Sequence, residues 1–485
     1  MKNFLNKIKF FSKNSPSNIC LQKGQKKITF KEFWDLSLKF SNYLRNKTKN
    51  KRPIVCIVEQ KDFIDYIAIV GTLLSGGYYI PINKITPKNK IWKIFCQTKS
   101  NFMVTNLDFL KKKIKDNQLI SFQNIKNHKN NKTKYFDSKI AYILFTSGTT
   151  GYPKGVIIEK SSLDHYINWL VKKINLKKNS ACSQIPSIGF DLSVADIFLS
   201  LCSGSRLVIP EYIDQLFPAR WFLKQQINHV VCTPSTIDFI ISSKQLNKKN
   251  FKYVKSIFFC GEPLYVNQVK KVFDLNKNIK IINAYGPTEA TCSMTYADIN
   301  YKNILNNYTD IVSIGKCIPG MKIKLNDTFK QNEKRIGEIL IAGKQLSIGY
   351  FKQKKLTKQK FIKYNKKIFY KTGDLGFKIN NRLFFYSRED NQIKINGFRV
   401  ELSEIDYYIR KFGALKSIST NISGKIISFV ILDNKNNKKI IDFLKKNIES
   451  YKIPFRLIYL KSFPINKNGK VDINFLKKNY VKNEI

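Results

Sequence analysis

Apolar residues along this chain change their spacing in blocks, and the blocks predict its elements. Residues 28–45 repeat apolar positions near every 3.6 residues, which predicts a helix, with Thr29 and Glu32 placed for a capping box. Ile54–Glu59, apolar up to Val58, reads as a buried strand followed by a helix. Tyr66–Ile82 is also apolar but is interrupted by Gly71, Ser75, Gly76 and Gly77, so it reads as a buried helix turning into a strand. It falls short of the roughly 20 uninterrupted residues that cross a bilayer. Lys111–Tyr135 is polar and of low complexity, and reads as a connector. Between about 140 and 320, short apolar runs (Leu207–Ile209, Val230–Cys232, Ile257–Cys260, Ile281–Asn283) alternate with helical stretches, the pattern of an α/β fold with a largely parallel sheet. From 336 to 386 the predicted strands are shorter and closer, with Gly337, Gly343, Gly349, Gly373 and Gly376 at turns, giving a β-rich subdomain. After Asp390 comes a small α+β unit: strands near 392–395 and 425–432, helices near 403–412 and 438–450, and a Lys- and Asn-rich end over 466–485. The fold class is therefore α/β: a large N-terminal domain over 1–389 built of α/β subdomains and a β-rich subdomain, and a small α+β domain over 390–485. The boundary falls at Arg388–Asn391, and there are no internal repeats.

Composition narrows this only slightly. A chain of 485 residues predicts two to four structural units, and 43% hydrophobic residues predict a globular one. The start, Met1-Lys-Asn-Phe-Leu-Asn-Lys-Ile-Lys, is too broken by lysine for a secretory signal, so the expectation is a soluble cytoplasmic protein without membrane contact. Nine cysteines without a C-x-x-C pair or a histidine at metal spacing predict reduced, partly buried thiols. His128, His165 and His229 stand in no catalytic context. The net charge of +52 invites a nucleic-acid reading, but ten arginines accompany 76 lysines, and the lysines are spread along the chain. Lys, Asn, Ile, Phe and Tyr share A/T-rich codons, so genome composition is the simpler source of the charge. A basic surface would also attract an acidic protein partner.

In a glycine-poor chain, clusters of glycine stand out. Leu144-Phe-Thr-Ser-Gly-Thr-Thr-Gly-Tyr-Pro-Lys-Gly-Val156 packs four small hydroxyl residues, three glycines and a lysine at the end of the apolar run Ile140–Phe145. Glycines let backbone N–H groups turn toward phosphate oxygens, hydroxyls add donors, and lysine adds charge. The G-x-x-x-x-G-K-[ST] spacing of the common nucleotide loop is absent. The plainer reading is a polar Gly-rich turn, which the density of the 13-residue pattern argues against. The stretch does not stand alone. Asn283-Ala-Tyr-Gly-Pro-Thr-Glu-Ala290 follows a predicted strand, and its Tyr285 offers a flat face for a base. Tyr370-Lys-Thr-Gly-Asp-Leu375 carries Asp374, a planar two-oxygen acceptor. Tyr386-Ser-Arg-Glu-Asp390, Gln392-Ile-Lys-Ile-Asn-Gly-Phe-Arg-Val-Glu401 and Pro464-Ile-Asn-Lys-Asn-Gly-Lys-Val-Asp472 follow in order.

In content, order and spacing these motifs resemble the adenylate-forming enzymes: acyl-CoA synthetases, luciferases and peptide-synthetase adenylation domains. The resemblance runs from about residue 28 to 476. It implies an ATP- and Mg²⁺-dependent enzyme whose nucleotide is held by Thr146, Ser147, Gly148, Thr149, Thr150, Gly151, Lys154, Asn283, Ala284, Tyr285, Gly286, Thr288, Asp374, Arg388 and Lys470. Glu289 would meet the metal ion, and Asp374 and Arg388 the ribose. Thr146, Lys154, Glu289 and Lys470 would be catalytic. Asp390 matches the hinge about which the small domain swings between two half-reactions, and Lys394 and Gly397 would line a channel for a thiol-bearing arm. Ser387 replaces the family's usual glycine. Without its Asn-Gly-Lys-Val-Asp setting, Lys470 would be one solvated lysine among 76.

Phe190-Asp-Leu-Ser-Val-Ala-Asp196 separates the branches. In amino-acid-activating members an aspartate matching Asp191 pairs with the substrate ammonium, because a buried ammonium requires a carboxylate. Its other reading is a helix N-cap. The same matching puts Ala195, Cys232, Phe258, Cys260, Ala284, Cys292 and Ser293 around the substrate side chain, mostly small uncharged groups that suit a small or modest uncharged side chain. Phe259-Cys-Gly-Glu262, Cys232-Thr-Pro-Ser235 and Thr29-Phe-Lys-Glu-Phe-Trp34 make the chain most similar to the D-alanine–carrier protein ligases, and nearly as similar to stand-alone peptide-synthetase adenylation enzymes. Ala195, Cys292 and Ser293 depart from the former. The resemblance implies aminoacyl-AMP formation with release of pyrophosphate, then transfer to the phosphopantetheine arm of a separate carrier protein; the expected state is a monomer, and the scarcity of arginine argues against nucleic-acid binding. The alternatives are an AMP-forming acyl-CoA synthetase for a short carboxylic acid and a non-catalytic basic scaffold.

Overall fold

A computed structural model describes residues 3–48, 51–126, 138–148, 153–305, 309–331, 334–389, 392–395, 397–432, 436–465 and 471–482. The chain divides into two compact units. The first comprises 1–84, 95–145 and 155–389, the second 85–94, 146–154 and 390–485.

The first unit is built on two large sheets and a β-rich third. The nine-stranded sheet runs in the order Lys316–Cys317, Thr295–Ile299, Lys280–Tyr285, Ser256–Phe259, His229–Cys232, Ala181–Ser183, Arg206–Ile209, Ile19–Lys23, Lys26–Thr29. Its middle strands are all parallel and only the outer ones antiparallel, as short apolar runs separated by helices require. The six-stranded sheet contains Ile54–Val58 paired in parallel with Tyr78–Ile82 and Phe102–Val104. The expected capping box is present: Thr29 N–H donates to Glu32 Oε2 at 2.7 Å and Glu32 N–H to Thr29 Oγ1 at 3.2 Å. It starts the helix Phe30–Thr48, which buries Phe30, Phe33, Trp34, Phe40 and Leu44. Each such side chain contributes roughly 1.5–3 kcal/mol. Phe40 meets the helix Phe63–Leu74 at Gly71, where a Cβ would come within 2.8 Å of the Phe40 side chain. That is why the long apolar segment is interrupted by glycine there.

Two expectations fail here. The strands of the 336–386 region are not uniformly short: Phe361–Tyr364 has four residues, but Lys334–Gly343 and Lys367–Ile379 are 10 and 13 residues long. Gly337 and Gly376 are not turn residues but face each other across the ladder. A Cβ on Gly337 would lie 2.6 Å from the Asn326 carbonyl and one on Gly376 2.8 Å from that of Phe384, so close backbone approach, not a turn, demands glycine. The connector 111–135 is also not bare coil. Leu119–Ile120 pairs with Phe102–Val104, and Phe122–Lys126 is helical.

In the second unit, Gln392–Ile395 and Phe398–Glu401 form an antiparallel ribbon, and Lys416–Ile422, Lys425–Ile431 and Arg456–Tyr459 a three-stranded sheet. Lys90, Glu404, Glu449 and Lys452 form a buried ionic quartet with contacts of 2.6–3.1 Å. The Lys- and Asn-rich end contains a helix, Ile473–Lys482, because Leu476 packs with Ile427, Phe429 and Phe463. All nine cysteines are free thiols.

Candidate active site

The site develops where parallel strands of the nine-stranded sheet end. In a strand, successive side chains face opposite sides. Phe258, Ile282 and Ala284 share one core cluster, joined by Cys260 just past its strand. Cys232 and Phe259, which are in register, lie in the other cluster. The expected pocket residue Cys232 is therefore on the sheet face away from Phe258, Cys260 and Ala284; the two-residue period puts it there. Asn283 shares the register of Phe259, and its amide donates to the carbonyls of Val312 (3.4 Å) and Ser313 (3.0 Å). It ties down the neighbouring segment.

Past the strand Lys280–Tyr285 the chain turns back on itself. Gly286 is where it folds: a Cβ there would lie 2.7 Å from Ser293 Cα and 2.9 Å from Met294 N. Thr291 and Cys292 take φ of 56° and 79°, uncommon for residues with side chains, and this brings Cys292 and Ser293 back against the strand end. There Tyr166 Oη donates to Cys292 Sγ at 3.3 Å, Ser293 Oγ donates to Tyr166 Oη at 3.3 Å, and Cys260 Sγ lies 3.9 Å from the Cys292 carbonyl. Burial pushes the Cys292 thiol well above its ordinary range, so it is a neutral wall group. Ala195 is fully buried in the same cluster.

Asp191 precedes the helix Ser193–Ser203, and the helix does not use its side chain. The N-cap position is Leu192 and the carbonyl of Asp191, not its carboxylate, accepts Val194 N–H at 3.0 Å. The carboxylate is buried, 6% exposed, and Asp191 Oδ2 accepts from Thr288 Oγ1 at 2.5 Å. The residue assigned from sequence to the substrate ammonium thus touches one assigned to phosphate.

Glu289, fully buried, accepts from Tyr350 Oη at 2.7 Å, and Tyr350 Oη lies 3.3 Å from Tyr370 Oη. Asp374, 3% exposed, accepts from Tyr285 Oη at 2.6 Å and from the Arg388 guanidinium, while Arg388 also donates to the Thr372 carbonyl at 3.1 Å. Asp374 and Arg388 are direct partners in the ladder, so the pairing is built into the sheet register. Burial first, and Asp374 beside it, hold the Tyr285 phenol well above its ordinary range, so its hydroxyl remains a donor. Tyr166 and Tyr350 were not legible in the sequence. They lie 126 and 61 positions from their partners Cys292 and Glu289, inside ordinary helical and loop patterns.

The glycine-rich loop belongs to the second unit. Thr146 Oγ1 donates to the Lys154 carbonyl at 3.4 Å and Ser147 Oγ to that of Arg399 at 2.7 Å. Lys154 Nζ pairs with Glu401 at 2.9 Å, and Glu401 also takes the amide of Gln392. Gly148 lies at the edge of the described loop. Lys394 pairs with Arg399 in the ribbon whose turn is made by Gly397, φ +80°. Thr149, Thr150, Gly151, Asp390 and Lys470 lie outside the described residues. Among the described residues no group of three or more His, Cys, Asp or Glu could hold a metal ion, and no helix is long and apolar enough to cross a membrane.

Comparison with known proteins bears on this arrangement. The model of the AMP-binding enzyme family matches residues 9–351. The D-alanine–D-alanyl carrier protein ligase of Staphylococcus aureus is 28% identical, over 96% of both chains. Among solved structures, a Vibrio cholerae adenylation domain in complex with glycyl-adenosine-5'-phosphate superimposes with a TM-score of 0.83 at 24% identity, covering 99% of this chain and 97% of that one. The o-succinylbenzoate CoA synthetase of Bacillus subtilis does so with 0.82 at 18% identity, covering 99% and 98%. With the family model spanning well over half of its length and the adenylate-forming fold across nearly all of it, the chain belongs to the AMP-binding enzymes.

Proposed function

We propose that this enzyme is an AMP-forming amino acid–carrier protein ligase. It activates the carboxylate of a small uncharged amino acid with ATP, releases pyrophosphate, and passes the aminoacyl group to the phosphopantetheine thiol of a carrier protein. The observation that carries the amino-acid reading is Asp191: a buried carboxylate that does not cap its helix and contacts Thr288 of the nucleotide motif. A buried carboxylate is stabilised by a cation, and the substrate's α-ammonium supplies one. Similarity to the D-alanine–D-alanyl carrier protein ligase over 96% of both chains supports the same reading, including the carrier.

In the first step a substrate carboxylate oxygen attacks the α-phosphorus of ATP and the bond to the pyrophosphate oxygen breaks. Tyr285 and Asp374 would position the nucleoside, with Asp374 accepting from the ribose hydroxyls while Arg388 and Tyr285 fix its orientation. Thr288 would bridge substrate and phosphate. The loop residues Thr146 to Lys154 would hold the β- and γ-phosphates, and Lys470 would neutralise charge developing at the α-phosphate. This is positioning and electrostatics with no covalent enzyme intermediate. Glu289 offers a carboxylate beside the hydroxyls of Tyr350 and Tyr370, oxygen chemistry that suits a hard cation such as Mg²⁺. Held by Glu289 and the phosphates, it would offset the negative charge of the triphosphate. In the second step the small C-terminal domain, 390–485, reorients about Asp390, the thiol arm enters past Lys394 and Gly397, and its sulfur attacks the aminoacyl carbonyl as the bond to the phosphate oxygen breaks and AMP leaves.

The test is ATP–pyrophosphate exchange across L-amino acids, D-alanine and glycine. Exchange driven by small uncharged amino acids is the expected result. No exchange with any of them, together with CoA-dependent AMP formation from a short carboxylic acid, would replace this reading with an acyl-CoA synthetase.

A further inference from the structure

The strand Arg206–Ile209 runs into a turn that concentrates exposed apolar side chains. Tyr212 is 76% exposed, Ile213 52%, Leu216 43% and Phe217 37%. A single exposed apolar residue is ordinary; four large ones within six residues mark an interaction surface. The segment is ordered by its own chemistry. Glu211 and Asp214 form a capping box at the start of the helical turn Tyr212–Leu216, and Pro218 begins the next helix. The Arg220 guanidinium lies 4.9 Å from the Phe217 ring centroid. The Gln245 side-chain amide donates to the Leu216 carbonyl at 3.3 Å and to Ser243 Oγ at 2.8 Å, and Ser243 Oγ donates to the Phe239 carbonyl at 2.6 Å. These bonds tie the helix that carries Phe239, itself 44% exposed, to the same turn.

Position and charge say what it receives. Arg206–Ile209 is parallel to Ala181–Ser183, which leads through His229–Cys232 to Ser256–Phe259, all in parallel. The turn therefore leaves the same edge of the sheet as Cys260 and Tyr285. Three strand steps of about 4.8 Å separate it from the strand that ends at Phe259, roughly 15 Å along that edge. Arg220, Lys224, Lys244 and Lys248 are exposed on the same and the linked helical segments and outnumber the exposed acids; Asp214 is buried, the Glu211 carboxylate is turned onto the cap and Gly24, and Asp238 accepts from the Gln268 amide. An apolar centre with a cationic rim fits a partner with an apolar centre and an acidic rim.

We propose that Tyr212, Ile213, Leu216 and Phe217 form the docking platform for the carrier protein, engaging a surface of it in which apolar residues are flanked by carboxylates. The proposal rests on the carrier-loading reading above. A partner seated on the rim of the strand ends that line the site delivers its thiol arm to the acyl-adenylate without crossing the sheet. The platform is fully within the first unit.

The test compares wild type with Ile213→Glu/Leu216→Glu and, as an independent variant outside the apolar centre, Arg220→Glu. Exchange with the activating amino acid reports the fold and the adenylation site; it is expected to stay within twofold in both. Aminoacyl transfer is then followed by mass spectrometry to two acceptors, the phosphopantetheinylated D-alanyl carrier protein of Staphylococcus aureus as probe and free pantetheine, which has no docking surface. Wild type is expected to prefer the carrier. The double variant is expected to raise the carrier KM at least tenfold, Arg220→Glu severalfold, with transfer to pantetheine unchanged. An unchanged carrier KM in both variants, or a wild type that does not distinguish carrier from pantetheine, overturns the platform while leaving adenylation intact. Absence of exchange in wild type instead defeats the ligase reading itself. A substitution that changes the sedimentation coefficient identifies the surface as a contact between copies. Loss of binding to anionic phospholipid vesicles identifies it as a membrane surface. Either result replaces the carrier proposal.

Discussion

Replacing Asp191 by Asn separates shape from charge at the residue that decides the substrate class. The amide keeps the carboxylate's outline and its Oδ1 can still accept the Thr288 hydroxyl, which now lies 2.5 Å from Asp191 Oδ2. The site is buried, 6% exposed, so a substrate ammonium there loses its counter-charge in a place water does not readily screen. Breaking a buried charge pair by neutralising one partner costs about 3–5 kcal/mol, and each 1.4 kcal/mol is a factor of ten. Asp191→Asn should therefore lower kcat/KM for the amino acid in ATP–pyrophosphate exchange by about 100- to 4,000-fold. The effect should appear chiefly in the KM for the amino acid. The KM for ATP should move less than threefold, because Asp374, Arg388 and Tyr285, which would hold the nucleoside, are untouched. Thermal melting should show a change within a few degrees, since one hydrogen bond is retained. A variant that keeps exchange within tenfold of wild type refutes the ion-pair reasoning and with it the amino-acid assignment.

Three further changes test other parts of the site and fold. Gly286→Ala puts a methyl group 2.7 Å from Ser293 Cα, and the pocket wall must shift; about 1–3 kcal/mol of stability should be lost in urea denaturation, with a fall in exchange. Tyr166→Phe removes the hydroxyl that joins Cys292 and Ser293; we expect about 1 kcal/mol of destabilisation and a several-fold rise in the KM for the amino acid with kcat nearly constant, and an unchanged KM would show that this wall does not meet the substrate. Burial pushes the Asp65 carboxyl up to about 8 from its ordinary 3.8, so between those values the native state holds a proton that the unfolded chain has released. Stability contributed there falls as pH rises from about 4 to 8, and Asp65→Asn should raise Tm more at pH 8 than at pH 4; equal shifts at the two pH values would contradict the buried, protonated form.

Much of the fold was legible because local chemistry and tertiary outcome agree. The capping box at Thr29 and Glu32, the strand over 54–58, the strand–helix alternation after 140 and the elements at 392–395, 402–412 and 437–447 all follow from apolar spacing and turn residues. The β-rich region is present as expected, but its strand lengths were misjudged because glycine ordinarily signals a turn, whereas Gly337 and Gly376 answer to a neighbouring strand that no local window contains. The connector's strand was hidden for a related reason: two residues, Leu119–Ile120, pair only because Phe102–Val104 offers an open edge.

The sequence by itself determined which chemistry is present: the clustered glycines and hydroxyls of the 144–156 loop, Tyr285, Thr288 and Glu289 in one motif, Asp374, and a carboxylate at Asp191. These are runs of neighbouring residues, and their meaning survives without knowing what faces them. Only the tertiary structure decided which of them meet. It put Asp191 against Thr288 across 97 positions, supplied Tyr350 for Glu289 and Tyr166 for the pocket wall, and turned Cys232 to the far face of its sheet. Contacts of that kind depend on strand order, register and the two-residue alternation of side chains, and those are settled by how the chain buries its apolar surface as a whole.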